Sequence, residues 1–310
     1  MKLLIAVLPV IAILAIGLFC RVKNVISEEG INGLQSLVIN ITLPVALFSN
    51  IYKAKITADT VLLAVVFFAA VVGAIGVGKA ICQKSKSFDR YMPFMISSYE
   101  AGMLGYALLG ILVGSGNVTR FAIMDIGHMM AVYTVYLSLL KNAGGEKQTA
   151  GDAVKGLLTT PVVVGVFLGV ILSVSGLGGK IVETEFGELL AALCSFISGP
   201  TSAVILVVIG YRMKFKGVSW GAFGKLIGLR LLVQAVFGAA ILLLFHAMGG
   251  LFTEELTVIS AIVMLILPTA YILPIYIRDE KSQEYYSSVL SADTLVTIVL
   301  FLILAAVVLL

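Results

Sequence analysis

The chain has 310 residues, of which 60% are hydrophobic and only 12% charged, with a mean hydropathy of +1.10. A soluble domain is about 45–50% apolar and about 25% charged, and a globule of this size has no interior large enough to hide the excess, so water is excluded as the main solvent and lipid is implied. The formal net charge of +4 is scattered without a basic stripe, which excludes nucleic acid as a partner, and Cys20, Cys82 and Cys194 form no CxxC pair from which a disulfide framework or metal site can be read.

The first apolar run, 3–20, follows Lys2 and resembles a signal peptide. Phe19, however, precedes Cys20 where a cleavage or lipidation site needs a small residue, and the run is long enough to span, so a retained first helix is expected. Further spans are expected at 31–51, 58–82, 91–114, 118–140, 154–176, 186–211, 220–247, 255–277 and 287–309. Stretches of about 20 residues cross roughly 30 Å of hydrocarbon at about 1.5 Å per residue, and they must be helical because main-chain polar groups in lipid need partners within the segment. Loops after odd-numbered spans hold thirteen Lys or Arg, from Arg21 to Lys281, against five on the other side (Lys2, Lys53, Lys55, Arg120, Lys180). By the positive-inside rule the odd loops are cytoplasmic and both termini extracytoplasmic, which predicts a multi-pass protein of the cell (plasma) membrane. Trp220 reads as an interface anchor, Lys79 and Lys225 as snorkelling residues, and Arg230 as a basic residue within a span whose role stays open.

The polar stretch Lys141–Lys155, with Gly144, Gly145 and Gly151, divides the chain into 1–145 and 146–310, each with five spans. The halves share a pattern. Pro9 and Pro161 stand early in the first span of each half, and Pro44 and Pro200 lie within the second. The fourth span of each is interrupted, by Glu100-Ala-Gly-Met-Leu-Gly-Tyr106 in one and Pro268-Thr-Ala-Tyr-Ile-Leu-Pro274 in the other. The fifth spans carry Asp125 and Asp293. Five is odd, so the second half must be inverted, and inverted repeats with matching broken helices point to the binding site of a secondary transporter. Each proline or glycine taken singly has packing as its commoner explanation. The expected fold is therefore all-α: ten transmembrane helices as two inverted five-helix repeats, with broken helices 4 and 9 crossing near the midplane.

At such a crossing, half-helix N-termini would present free N–H groups to a carboxylate without any need for arginine. The candidate substrate-binding residues are Gly102, Met103, Leu104, Gly105 and Tyr106 in the first break and Pro268, Thr269, Ala270 and Tyr271 in the second. The candidates for ion or proton coupling are Glu100, Asp125, His128 and Asp293, because an ionisable group in lipid costs roughly 2.5–3.5 kcal/mol on insertion scales and usually faces a cavity. Glu100 suits either Na+ beside unwound carbonyls or a proton. Asp125 and His128, three apart on one helix face, read equally as a structural pair and as a proton relay. No cofactor is implied beyond a coupling ion, Na+ or H+.

The opening Leu-Pro-Val…Ile-Gly-Leu at 8–18, the Ile-Thr-Leu-Pro closing 37–44, the glycine-rich fourth span and the proline-broken ninth together resemble the auxin efflux carrier family, in its bacterial branch, over essentially the whole chain. The resemblance implies a fold similar to the bile-acid sodium symporters. It further implies a dimerising scaffold of spans 1, 2, 6 and 7, and a transport domain of spans 3–5 and 8–10 that moves as an elevator. Relatives carry indole acetate in plants and malate- or malonate-like acids in bacteria. The sequence departs from the family in the fourth span, where Glu100 and Ala107 replace the usual Asn and Pro.

The expected function is secondary active transport of a small organic anion, a dicarboxylate or an auxin-like acid, by a homodimer in the lipid bilayer. A channel or membrane receptor is the alternative. An intramembrane hydrolase built on Ser115 and His128 ranks lower, since Ser115 lies at a span end beside Asn117, where a turn explains it. No enzyme is expected.

Overall fold

The computed structural model describes residues 2–54, 56–85, 88–145, 151, 155, 158–213, 220–277 and 279–309. Among these residues the regular structure is entirely helical. In chain order the elements are α1 (Lys2–Val22), α2 (Glu28–Ile51), α3 (Ala58–Lys84), α4 (Met92–Met95), α5 (Tyr106–Val113), α6 (Thr119–Ala143), α7 (Pro161–Val174), α8 (Leu177–Val182), α9 (Glu185–Arg212), α10 (Trp220–Met248), α11 (Glu255–Ile266) and α12 (Glu280–Leu309). Six helices (α2, α3, α6, α9, α10 and α12) are long and apolar enough to cross a membrane, and α1, α7 and α11 contribute shorter apolar stretches.

Local chemistry accounts for the boundaries. Ser27, Thr57 and Thr184 cap α2, α3 and α9, each hydroxyl accepting a main-chain N–H in the first turn, and Pro161 opens α7 where its missing donor costs nothing. Pro44 lies inside α2, just after a wide turn over Val38–Thr42 that lets the helix pass it without stopping. Asp279 caps α12 by accepting the N–H of Ser282 at 2.9 Å, and the Ser282 hydroxyl and N–H hold its carboxyl below the usual carboxylate range.

Two expected spans are not continuous. The segment 91–114 runs as α4, a non-helical stretch at 96–100, a wide turn over Ala101–Gly105, and α5. The break thus precedes Gly102 and Gly105, which were expected to cause it. Gly105 serves close packing instead, since a Cβ there would lie 2.5 Å from Phe121 Cζ and 2.8 Å from Leu267 Cδ1. The segment 255–277 stops being helical after Ile266 and resumes only as a single tight turn, Pro274–Tyr276. Proline at 268 has no N–H to continue the ladder and disfavours helix at the residue before it. Part of the expected span 154–176 falls on residues 154, 156 and 157, outside those described.

Small residues let several helix pairs touch backbone to backbone. In α1 and α9, a Cβ on Gly17 would lie 2.2 Å from the carbonyl oxygen of Val207, and one on Gly210 would lie 2.1 Å from that of Leu14. In α3 and α6, a Cβ on Gly127 would lie 1.7 Å from the Ala64 carbonyl oxygen. Close approach of this kind is a principal source of helix association in lipid, where apolar burial gives little. Gly127→Val should therefore force α6 off α3 and cost at least about 1–3 kcal/mol of overpacking. A thermal melt of the purified variant checks this, with Gly76→Val, which meets nothing within 4 Å, as the unaffected control.

Candidate functional site

The two breaks meet. The main-chain N–H of Glu100 donates to the carbonyl of Pro268 at 2.7 Å, joining residues 168 positions apart in sequence. Around this contact, the polar groups that the breaks release find partners, as burial demands. On the first break, the Met95 carbonyl accepts from the Thr269 hydroxyl, that of Ile96 from Gln234 Nε2 at 2.7 Å, and that of Ser98 from Arg230 Nη2 at 3.4 Å. The Tyr99 N–H donates to His128 Nε2 at 3.2 Å, and the Tyr99 hydroxyl to Gln234 Oε1 at 2.7 Å. The helix restarts with a wide turn closed by Gly105 N–H on the Glu100 carbonyl at 3.0 Å.

The second break is served likewise. Thr297 Oγ1 donates to the Ile266 carbonyl at 2.8 Å, and Arg230 Nη2 to the Leu267 carbonyl. The Thr269 N–H reaches Asp293 Oδ2 at 3.0 Å, the Ala270 N–H reaches Ser98 Oγ at 3.4 Å, and the Tyr271 N–H reaches Glu100 Oε2 at 2.6 Å. At the second break the structure differs from the expected half-helix end with free N–H groups: these three donors are held by protein acceptors, and only one short turn, Pro274–Tyr276, follows within the segment.

The acids divide by what they hold. Asp125 is 1% exposed and His128 5%. Because the Tyr99 N–H donates to His128 Nε2, that nitrogen carries no proton, so Nδ1–H donates to Asp125 Oδ1 at 2.9 Å. The other oxygen, Asp125 Oδ2, accepts from the Tyr106 hydroxyl at 3.0 Å. Asp293 accepts from Arg230 Nε at 2.8 Å as well as from Thr269. An aspartate on α6 thus fixes the first break through an imidazole, and an aspartate on α12 fixes the second directly. His128→Ala would leave the Tyr99 N–H without an acceptor. A loss of about 1–3 kcal/mol is expected, read as a lower melting temperature of the purified variant.

A cavity of about 1060 Å³ opens beside the second break. Arg21, Glu28, Gln35 and Arg212 lie on one wall, contributed by α1, α2 and α9. The other wall is α12, where Glu280, Glu284, Ser287, Ser291 and Thr294 recur at helical spacing, with Tyr271 at the break itself. The Tyr271 and Thr294 hydroxyls lie 2.9 Å apart.

Of the nine candidate substrate residues, Tyr271 lines this cavity. Leu104, Thr269 and Ala270 are buried within protein, as is Tyr106, whose ring packs edge-on against Phe121 at 4.9 Å. Gly102 faces Leu43 of α2, Pro268 gives its carbonyl to Glu100, and the Met103 side chain lies outside those described. Glu100, Asp125, His128 and Asp293 all reach the breaks. Sequence reasoning assigned nothing to Ser98, Gln234, Thr294 or Thr297 and left Arg230 open. The spacing of Arg230 and Gln234, four apart in the middle of an apolar span, was the available signal.

A family model described as membrane transport protein matches residues 2–309. The chain belongs to the auxin efflux carrier family. Within this family, it is 24% identical over 301 residues to an uncharacterized transporter of Methanothermobacter thermautotrophicus, covering 94% of each chain. It is also 26% identical over 273 residues to the uncharacterized transporter YfdV of Escherichia coli K12, covering 86% of this chain and 76% of the relative. The relative of the same name in Shigella flexneri matches to the same extent. The auxin efflux carrier family and these relatives are transporters, not enzymes.

Proposed function

We propose that this protein is a secondary active transporter of a small organic anion bearing a carboxylate, and that the anion binds where the two helix breaks meet. The observation that carries the reading is the Glu100–Pro268 main-chain bond, which joins two irregular, polar segments, the second of which borders a cavity of about 1060 Å³ through Tyr271 and Pro274, large enough for a small acid. Arg21 and Arg212 stand on the cavity wall beside the carboxylates of Glu28, Glu280 and Glu284, so the wall carries both signs of charge.

The finer reading is of ten helices in two inverted sets, residues 1–145 and 146–310, with the breaks near the membrane midplane. Helices 1, 2, 6 and 7 form the scaffold of a homodimer in the plasma membrane, both termini are outside, and helices 3–5 and 8–10 move as an elevator. The cavity supports this division, since one wall comes from α1, α2 and α9 and the other from α12 and the second break. Coupling to H+ or Na+ is assigned to Glu100, whose Tyr271 partner lines the cavity. Asp125, His128 and Asp293 contribute by holding the breaks in shape. No further cofactor is required.

Uptake of radiolabelled mono- and dicarboxylates into proteoliposomes, with and without Na+ and pH gradients, tests the reading. Saturable, gradient-driven accumulation is expected. Ohmic current without saturation would replace the transporter by a channel, and no carboxylate flux under any gradient would end the proposal.

A further inference from the structure

We propose that Arg230 is a built-in cation: its guanidinium fills, at the crossing of the two breaks, the set of oxygens that would otherwise hold a coupling Na+, so transport is indifferent to Na+. The inference rests on the ion-coupled transport reading and narrows its coupling ion to a proton.

Three observations carry it. First, the oxygens that converge on Arg230 come from three separate parts of the fold. Asp293 Oδ2 of α12 lies 2.8 Å from Nε, while Nη2 meets the Ser98 carbonyl of the first break at 3.4 Å and the Leu267 carbonyl of the second. One carboxylate and two carbonyls thus gather about two adjacent nitrogens of a single planar group. Second, the Leu267 carbonyl stands at the end of α11, which stops at Ile266, so it lies at the negative pole of a half-helix of 12 residues. Carbonyls of unwound stretches and the C-terminal ends of half-helices are the groups that coordinate Na+ in secondary transporters. Third, Arg230 is buried inside an apolar span, where a charge is expensive and is retained for a purpose.

The fit is that of a charge more than of a donor fork. Among the described residues Nη1 has no hydrogen-bond partner, so part of the donor set goes unused while the charge is engaged. Carbonyls alone can be served by a neutral side chain, as Gln234 shows one turn along α10, where its amide donates to the Ile96 carbonyl. At Arg230 the acceptors include a buried carboxylate, which needs a positive charge beside it. A tethered cation supplies that charge permanently, whereas Na+ would supply it only when bound. Two positive charges cannot share these oxygens, because like charges repel strongly where water is excluded. The guanidinium thereby closes the site to Na+.

The test uses purified wild type, Arg230→Gln and Arg230→Lys, each melted in sodium chloride and in choline chloride at equal ionic strength. Wild type and Arg230→Lys, which keep the charge, should melt alike in the two salts. Arg230→Gln should melt several degrees higher in sodium chloride, the shift expected when an ion fills a vacated site well above its dissociation constant. A loss of stability that is equal in both salts is what a purely structural arginine would give, and it overturns the proposal. So does an Arg230→Gln protein that is unfolded in both salts, since Na+ then replaces nothing. Carboxylate uptake by wild-type proteoliposomes should run at the same rate when choline replaces Na+. Uptake that requires Na+, or a Na+-dependent melting shift in wild type, overturns the proposal as well. No uptake under any gradient, with the melts as expected, removes the transport reading and leaves the cation site exposed by Arg230→Gln standing.

Discussion

Arg230→Leu should be the most destabilising single substitution in the helical core, lowering stability by about 3–5 kcal/mol, as expected when one partner of a buried ion pair is removed. Arg230 is 2% exposed and serves both breaks at once, with Nε on Asp293 and Nη2 on the carbonyls of Leu267 and Ser98. Without it Asp293 is left as a buried charge, and those carbonyls lose their charged donor. Asp293→Ala alone should cost a comparable amount, because it strands the buried Arg230 guanidinium and takes the acceptor from the Thr269 N–H, although Arg230 keeps the carbonyls of Leu267 and Ser98. The double substitution should recover part of the Arg230→Leu loss, and the coupling between the two sites should be well above the few tenths of a kcal/mol seen for independent positions. Thermal melts in detergent of all four proteins give the cycle. A single Arg230→Leu variant melting within a degree or two of its parent would show that the ion pair does not hold the breaks.

Glu100→Gln should separate binding from coupling. If the Glu100 carboxylate carries the coupling charge, its neutral isostere has nothing to exchange with a cation or proton, so concentrative uptake should fall to equilibration. A gradient worth about 1.4 kcal/mol sustains roughly tenfold accumulation, and the variant should lose whatever ratio the imposed gradient sustains in wild type. Counterflow exchange of labelled for unlabelled acid requires no net coupling and should persist in the same proteoliposomes. Undiminished accumulation in the variant would move the coupling role away from Glu100.

Hydropathy disclosed most of the helices, because a helix in lipid must bury its own main-chain polarity, and that requirement is written in a continuous apolar run. Pro268 disclosed the second break, because a missing N–H acts locally. The first break was harder to place. Gly102 and Gly105 signalled it, yet the chain leaves the helix at 96–100, and Gly105 is small because Phe121 and Leu267 press on it. Helix α12 was placed too short, starting at 287, because Glu280, Gln283 and Glu284 look like loop residues. In the structure they lie along a cavity wall, where polar side chains belong on a helix. The roles of Arg230 and Gln234 were illegible for a different reason. Their partners, Asp293 and the carbonyls of Ile96, Ser98 and Leu267, lie far away in the chain, and only the folded molecule brings them together.

The glycine contacts have a mechanical consequence. Where Gly127 rests on Ala64, and Gly17 and Gly210 rest on Val207 and Leu14, no side chain lies between the helices to bend or change rotamer. Such a seam has no cushion: sliding one rod along the other drives carbonyl oxygens into α-carbons within a fraction of a turn. Helices α3 with α6, and α1 with α9, therefore behave as two spliced beams. Relative movement of helices meets less resistance away from these seams, and the hollow between α9 and α12 offers room for it.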